Sequence, residues 1–573
     1  MSAPLEAPDP GLGGAESAVA RHSRLQSDEE AQRYHAEGRW GQRLLVDVFD
    51  ATVARTPDKT AIVEAHRRLS YRELQRQSEN LAAALLRLGV RHGDVVAVQA
   101  PNWAELPTVH LATNRIGAIF VPLSEGFRER ELLHLLAKAR VKVLFCPQAF
   151  RGFGAAALLA GQRAALPLLQ HIVTMRAAAA AGEPGFEAMA QHDGWRATHG
   201  APWLHAQRAD ADAPSHVMVS SGTTGLPRCS LFSDNNTLVK LLGQYVTAAG
   251  VDEHDVAAAL APAGTGATGY NYPILTLLLL GGTSVLLEHW SGKHLDQALA
   301  LIADHRCTVA TVVPAQMAQL VQAGPLPGRD YSALRVVTNA GAKLPPAVAE
   351  GMERLFGCTV QGVYGTSEAG ATAMTRVDDP VDKRRSTVGR PLDGQELRIL
   401  DDDDLPVPPG AVGEVCWRGP NKSYGFLNDP AASAAVWGRD GLLHSGDLGR
   451  LDDEGYLHIV GRKKDMIIRG GQNVNPGAIE EVLLHHPSVG QVAVVPFADA
   501  VLGERIAACV VAKGDKPPAL NDLKAFVREQ GLAAWHQPEL LVLLTELPRN
   551  AGGKVDKRAL SQLATDASPA VAL

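Results

Sequence analysis

From Leu69 to Cys146 the chain repeats one pattern: a short apolar run, a stretch of helical length, then another apolar run. The apolar runs fall at 95–99, 117–123 and 141–146 and read as short buried strands. Ser70 stands three residues ahead of Glu73, the spacing of a capping box, which predicts a helix running to about Leu88. A second helix is predicted over 104–116. Parallel strands need a crossover between them, and helices of this length supply it, so the pattern predicts β-α-β units in a layered α/β domain.

After Gly461 the texture changes. The charged segment Arg462, Lys463, Lys464, Asp465 precedes Gly470 and Gly471, and about 100 residues of a different pattern follow. Helices are predicted at 476–485 and 520–530, with strands at 491–496 and 506–512. The expected organisation is an N-terminal extension (1–40), a large multi-subdomain α/β domain with layered sheets (41–463), and a small, mobile C-terminal α+β domain (464–573). The Ala-rich stretch 154–181 reads as a surface helix with a loose loop, and Asp401 to Asp404 as an acidic, solvated turn.

Composition excludes several function classes. Hydrophobic residues make up 46% and charged residues 20%, ordinary for a globular chain. With 55 Lys+Arg against 62 Asp+Glu the net charge is -7, so nucleic acid is not an expected partner. The longest apolar run, near residues 273–280, is far short of the ~20 residues of a membrane span. No basic stretch followed by an apolar core opens the chain, so a secretory signal is not expected. None of the six cysteines forms a C-x-x-C pair, which disfavours a zinc site or disulfide framework; buried free thiols and a cytoplasmic location are expected.

The strongest local signal is VSSGTTGLPR at 219–228. Glycines let backbone amides approach an anion, hydroxyls add donors and Arg228 adds a fixed positive charge, the composition of a loop that wraps a polyphosphate. It is not a Walker loop, because G-x-x-x-x-G-K-[ST] is absent. Four further segments follow it in order: GVYGTSE at 362–368, HSGD at 444–447, GRKKD at 461–465 with GGQN at 470–473, and PRNAGGK at 548–554.

Together these segments resemble the adenylate-forming superfamily of acyl- and aryl-CoA synthetases, aryl-acid adenylating enzymes and luciferase, over about residues 45–562. The layout is most similar to the dihydroxybenzoate-adenylating branch and related acid–CoA ligases. The resemblance implies an enzyme that uses ATP and Mg2+ to convert a small-molecule carboxylic acid into an acyl-adenylate, then passes the acyl group to coenzyme A. It implies a nucleotide site formed by Ser220, Ser221, Gly222, Thr223, Thr224, Gly225, Ala340, Gly341, Ala342, Tyr364, Gly365, Thr366, Ser367, Asp447 and Arg462. Tyr364 is expected to stack on adenine, and Asp447 to accept from the ribose hydroxyls with help from Arg462. Arg228 is expected to neutralise the β/γ-phosphates and Lys554 to bridge the attacking carboxylate and the α-phosphate. Glu368, with Thr223, is expected to hold Mg2+, a hard ion suited to carboxylate and hydroxyl oxygens. Ala263, Gly264, Thr265, Gly266 and Asn339 fall at the acid pocket, Gly470, Gly471 and Gln472 on the thiol side, and Lys464 at the hinge between domains. A homodimer is a family-level expectation.

Three departures bear on substrate and activity. Arg228 replaces the usual lysine, keeping the charge but changing its geometry. Asp234 stands where relatives commonly have histidine. Thr265 and Gly266 stand where relatives place histidine or an aromatic and where the dihydroxybenzoate branch adds an asparagine reading a 2-hydroxyl. A pocket without that reader has no means of selecting strongly for a 2-hydroxyaryl acid. With Ala263, Gly264, Gly266 and Ala267 all small, a wider, mostly apolar pocket is expected, for an alicyclic, simple aromatic or medium-chain acid. Two alternatives remain open: a stand-alone adenylating enzyme that loads a carrier protein's phosphopantetheine, and a catalytically inactive nucleotide-binding relative.

Overall fold

The computed structural model describes residues 28–177, 184–220, 226–438, 441–469, 472–499, 502–549 and 555–568. The predicted β-α-β alternation forms a six-stranded sheet. Its order is His171–Met175, Val141–Pro147, Val95–Gln99, Ile119–Leu123, Pro214–Ser220 and Arg228–Ser233, parallel except for the last pair. A nine-stranded sheet has six parallel strands at its centre, among them Val256–Ala259, Val309–Val312, Val336–Ala340 and Thr359–Thr366. One apolar core joins both sheets, with Val96, Val98 and Phe120 from the first and Ala257, Ala259 and Val309 from the second.

Two of the helices that contribute to this core show how it is built. Tyr71–Arg87 starts at the predicted capping box: the Ser70 hydroxyl accepts from the Glu73 amide at 3.3 Å, and the Glu73 carboxylate accepts from the Ser70 amide at 2.7 Å. In Glu105–Arg115 every residue is buried. A helix without a solvent face must pair its polar groups internally, since an unpaired buried charge is strongly destabilising. Arg115 accordingly forks onto Asp50 at 2.6 and 2.9 Å, and Glu105 accepts from Arg67 and Arg176.

The stretch 154–181 departs from expectation. Its described residues hold a short helix, Ala155–Ala160, and a 3-10 turn, Arg163–Ala165, while His171–Met175 is the edge strand of the six-stranded sheet. Ile172, Val173 and Thr174 are β-branched and favour a pleated surface, a local preference that the surrounding alanines mask. At the other end of the large unit, the polar lead-in contributes the helix Asp28–Ala36, and Trp40 beyond it donates to the Pro420 carbonyl from a buried position.

A four-stranded antiparallel sheet, Glu396–Leu400, Gly413–Arg418, Leu443–Leu451 and Leu457–Arg462, packs against the nine-stranded one through Tyr364, Ala373, Ile399, Val415 and Leu457. This junction sets the sheets' facing ends against each other and thereby positions the candidate site. The three-residue helical turn Lys463–Asp465 follows, and then a small domain. Its five-stranded sheet carries Pro476–Leu483 and Leu520–Glu529 over one apolar core and Lys557–Ala567 over another. All six cysteines are free and buried. Among the described residues no helix is long and apolar enough to cross a membrane.

Candidate active site

The strands Pro214–Ser220 and Arg228–Ser233 pair antiparallel with Ser220 opposite Arg228, so the two ends of the Gly/Ser/Thr segment lie side by side. Ser221, Gly222, Thr223, Thr224 and Gly225 themselves lie outside the described residues, as do Lys554, Gly470 and Gly471. Backbone bonds from residues 424–427 cover the outer edge of the Arg228 strand and bring Phe426 beneath it. The Arg228 guanidinium lies 5.2 Å from that ring's centroid, a cation–π contact that holds the charge at the base of the loop.

Glu368 sits in the turn joining Thr359–Thr366 to Gly370–Met374. A side chain at Gly365 is sterically forbidden, because its Cβ would lie 1.9 Å from the Gly370 carbonyl oxygen. The Thr366 hydroxyl accepts from the Glu368 amide, and the Ser423 amide donates to the Glu368 carbonyl at 2.7 Å. Desolvation pushes the Glu368 carboxyl above its ordinary value; Thr366 and Arg228 oppose this and the charge of Asp447 adds to it. A hard-oxygen donor held in surroundings that penalise its charge fits a divalent cation such as Mg2+.

Across the junction, Asp447 is buried and holds two partners. Its Oδ2 accepts from the Tyr364 hydroxyl at 2.9 Å and its Oδ1 meets Arg462 Nε at 2.9 Å. Arg462 is its cross-strand neighbour, and the Ser445 hydroxyl accepts from the Asp447 amide. Burial and the adjacent carboxylate push the Tyr364 hydroxyl well up, so it stays a donor.

The strand Val336–Ala340 pairs parallel with the Tyr364 strand, Asn339 against Gly362 and Ala340 against Val363. Gly341, at φ +93°, and Ala342 continue onto the exposed surface at its end. Asn339 is buried, and its side-chain oxygen has no hydrogen-bond partner among the described residues. An acceptor left open inside the protein is costly unless a ligand supplies the donor.

Ala263–Thr265 forms a single 3-10 turn ahead of Gly266. Of the small residues expected to widen the pocket, Gly264 does not do so. A Cβ on Gly264 would lie 2.4 Å from the Ser124 backbone, so that glycine is used up by close approach of the strand end Leu123–Ser124 and opens no space. Gly266, at φ +85°, instead faces the Met218 methyl, 3.3 Å from where its Cβ would stand.

Asp234 also has a structural explanation. It is fully buried at the start of Asp234–Leu238, where both its oxygens accept from Asn114 and one also accepts from the Leu45 amide, the first residue of Leu45–Arg55. Its carboxyl, pushed up by burial, is thus committed to joining helices.

Lys464 lies in the turn 463–465. Desolvation and Arg462 push its ammonium down, with Asp447 and Arg228 among the charges it feels. Lys463 beside it bridges Asp402 at 2.8 Å and Glu414 at 3.2 Å. Gln472 opens the strand Gln472–Val474, opposite Arg469.

The sequence reading missed Lys240. It is fully buried within 239–245, with its Nζ 3.5 Å from the Met218 sulfur. The available signal was a charged residue inside the run Thr237, Leu238, Val239, Lys240, Leu241, Leu242.

Comparison with known proteins accords with this geometry. Residues 49–427 match the family described as AMP-binding enzyme, and residues 478–554 match the AMP-binding enzyme C-terminal domain. The chain is similar to a medium-chain fatty-acid–CoA ligase of Escherichia coli (strain K12), at 33% identity over 93% of this chain and 92% of the relative. It is likewise similar to a 2,3-dihydroxybenzoate-AMP ligase of Bacillus subtilis (strain 168), at 32% identity over 93% of this chain and 96% of the relative. Among solved structures, apo MbtA of Mycobacterium smegmatis superposes with a TM-score of 0.71 at 31% identity, covering 96% of this chain and 100% of that one.

Proposed function

The chain belongs to the AMP-binding, adenylate-forming enzyme family, and from that premise we propose that it ligates a carboxylic acid to coenzyme A through an acyl-adenylate. That it is an AMP-forming acid ligase follows from membership; the acceptor and the residue roles are the proposal. The observation that supports it is the junction of Tyr364, Asp447 and Arg462 beside Glu368 and Arg228, which gathers the groups that this reading assigns to the ribose, the cation and the phosphates.

A carboxylate is a poor electrophile because its leaving group is oxide or hydroxide. Its oxygen attacks the α-phosphorus of ATP, the bond to the bridging oxygen breaks and pyrophosphate leaves, giving a mixed anhydride. Two anions must meet in this step, so fixed cations lower the barrier. Arg228 takes the β/γ charge, and Lys554 bridges the carboxylate and the α-phosphate. Asp447 accepts from the ribose hydroxyls through lone pairs that Tyr364 and Arg462 leave free. Glu368, with Thr223, would hold Mg2+, which would neutralise phosphate charge. The thiolate of coenzyme A then attacks the acyl carbon and AMP leaves, after the small domain has turned about Lys464 and withdrawn Lys554 from the site.

A second reading rests on the relative named for its aryl-AMP chemistry: the acceptor is then a carrier protein's phosphopantetheine thiol. ATP–pyrophosphate exchange over an acid panel tests the first step, and absence of exchange with every acid rejects the ligase reading. Release of AMP by coenzyme A, but not by a phosphopantetheinylated carrier, is the expected second result.

A further inference from the structure

The described structure pairs its other large buried cations with acids: Arg115 with Asp50 at 2.6 Å and Lys422 with Glu30 at 3.1 Å. Lys240 is different. It is fully buried, yet the partners of its Nζ are the Met218 sulfur at 3.5 Å and the Phe232 ring at 4.5 Å, and among the described residues no carboxylate pairs with it. The two histidines around it bring no negative charge. His110 and His216 are buried and neutral, each pushed down by desolvation and by Lys240 itself. Desolvation in turn brings the Lys240 ammonium down to about 7.

A buried ammonium without a counter-charge is costly to keep protonated, and an anion brought by a ligand would favour its charged form. Here it is nevertheless built with care. Gly370, at φ +80°, makes room for the lysine stem, since a Cβ there would lie 2.5 Å from Lys240 Cδ. Met218 forms the wall beside the ammonium; it stands two residues before Ser220, faces Gly266 and receives the Asn271 amide at 3.7 Å. Gly370 stands two residues after Glu368. The lysine thus lies against the strand that leads into the Gly/Ser/Thr segment and against the turn that carries Glu368, both of which the ligase reading assigns to the site.

Resting on the ligase reading, we propose that Lys240 is a specificity residue that pairs with a second anionic oxygen group of the substrate. The acid so selected carries a carboxylate, or an equally acidic oxygen, at the end remote from the carboxylate that is adenylated. Such a substrate supplies the charge the protein omits, and a monoacid of the same shape leaves the ammonium unpaired.

The test uses matched pairs, octanoate with octanedioate, benzoate with terephthalate, and cyclohexanecarboxylate with cyclohexane-1,4-dicarboxylate, on the full chain and on Lys240→Met. In ATP–pyrophosphate exchange the wild type is expected to favour the diacid of at least one pair by about tenfold or more in kcat/KM, and that ratio is expected to invert in Lys240→Met, chiefly through the diacid's KM. The same diacid should raise the wild-type Tm and leave that of Lys240→Met unmoved. The variant, relieved of an unpaired charge, should itself melt no lower than the wild type, which shows that it folds. Exchange with monoacids only, or a diacid preference that survives the substitution, overturns the proposal while leaving the ligase reading intact. No exchange with any acid overturns the ligase reading, and absence of a diacid-specific Tm shift overturns the role of Lys240 whatever the exchange result.

Discussion

The Tyr364 hydroxyl donates to Asp447 at 2.9 Å from a strand of the nine-stranded sheet to one of the four-stranded sheet. The aromatic ring and the carboxylate that the proposal assigns to the nucleotide are therefore fixed relative to each other by the fold itself. Tyr364→Phe keeps the ring and removes the donor. A hydrogen bond to a charged group is worth about 1.5–3 kcal/mol, so the KM for ATP should rise about 10–100-fold. Exchange kinetics at varied ATP measure this; a change confined to kcat would contradict it.

Glu368 is raised by desolvation, so the folded state holds its proton to higher pH than the unfolded chain does. Its contribution to stability is then present at low pH and is lost as pH rises through the folded-state value. At neutral pH and without nucleotide, Glu368→Gln should melt at or above the wild type, and the difference should close on acidification. Exchange activity should nonetheless fall by about two to three orders of magnitude, as for loss of a preorganised electrostatic group.

Asp234 joins the starts of two helices to Asn114 and takes no part in the proposed chemistry. Asp234→Ala leaves the Leu45 amide and the Asn114 side chain unpaired in the interior and should cost about 2–4 kcal/mol in urea unfolding. The folded fraction should exchange pyrophosphate at the wild-type rate per molecule.

Gly264→Ala tests whether that glycine serves close packing and not the acid pocket. Because the new methyl meets the Ser124 backbone, the variant should lose about 1–3 kcal/mol or more through overpacking. Its order of preference among acids should stay that of the parent, as read from the surviving soluble fraction.

Lys464→Pro freezes one backbone angle in the turn between the large unit and the small domain. If rotation there separates the two half-reactions, pyrophosphate exchange should persist while thioester formation slows by at least about tenfold. Single-turnover transfer from preformed acyl-adenylate to coenzyme A measures the second step alone, and equal slowing of both steps would argue against rotation at this residue.

Much of this was legible in the chain itself. Ser70 and Glu73 announce their helix because capping chemistry is local, whereas GTSE, HSGD and GRKKD point to one cleft only through the family resemblance that their order carries. What could not be read depended on distant neighbours. His171–Met175 is a strand only because a sheet edge accepts it. The smallness of Gly264 suggested space until Ser124 was seen to fill it. Lys240 looked like one more lysine, because its isolation is a property of Met218, Phe232 and Gly370, which come from three other places in the chain.

The helix Glu105–Arg115, enclosed on every side, bears on how this protein can evolve. No position along it is free to drift alone, because Arg115 answers to Asp50, Glu105 to Arg67 and Arg176, and Asn114 to Asp234. Across descendants of this sequence such sites should change as couples or stay still, so covariation between 50 and 115, or 114 and 234, would trace the scaffold's history more faithfully than any single column.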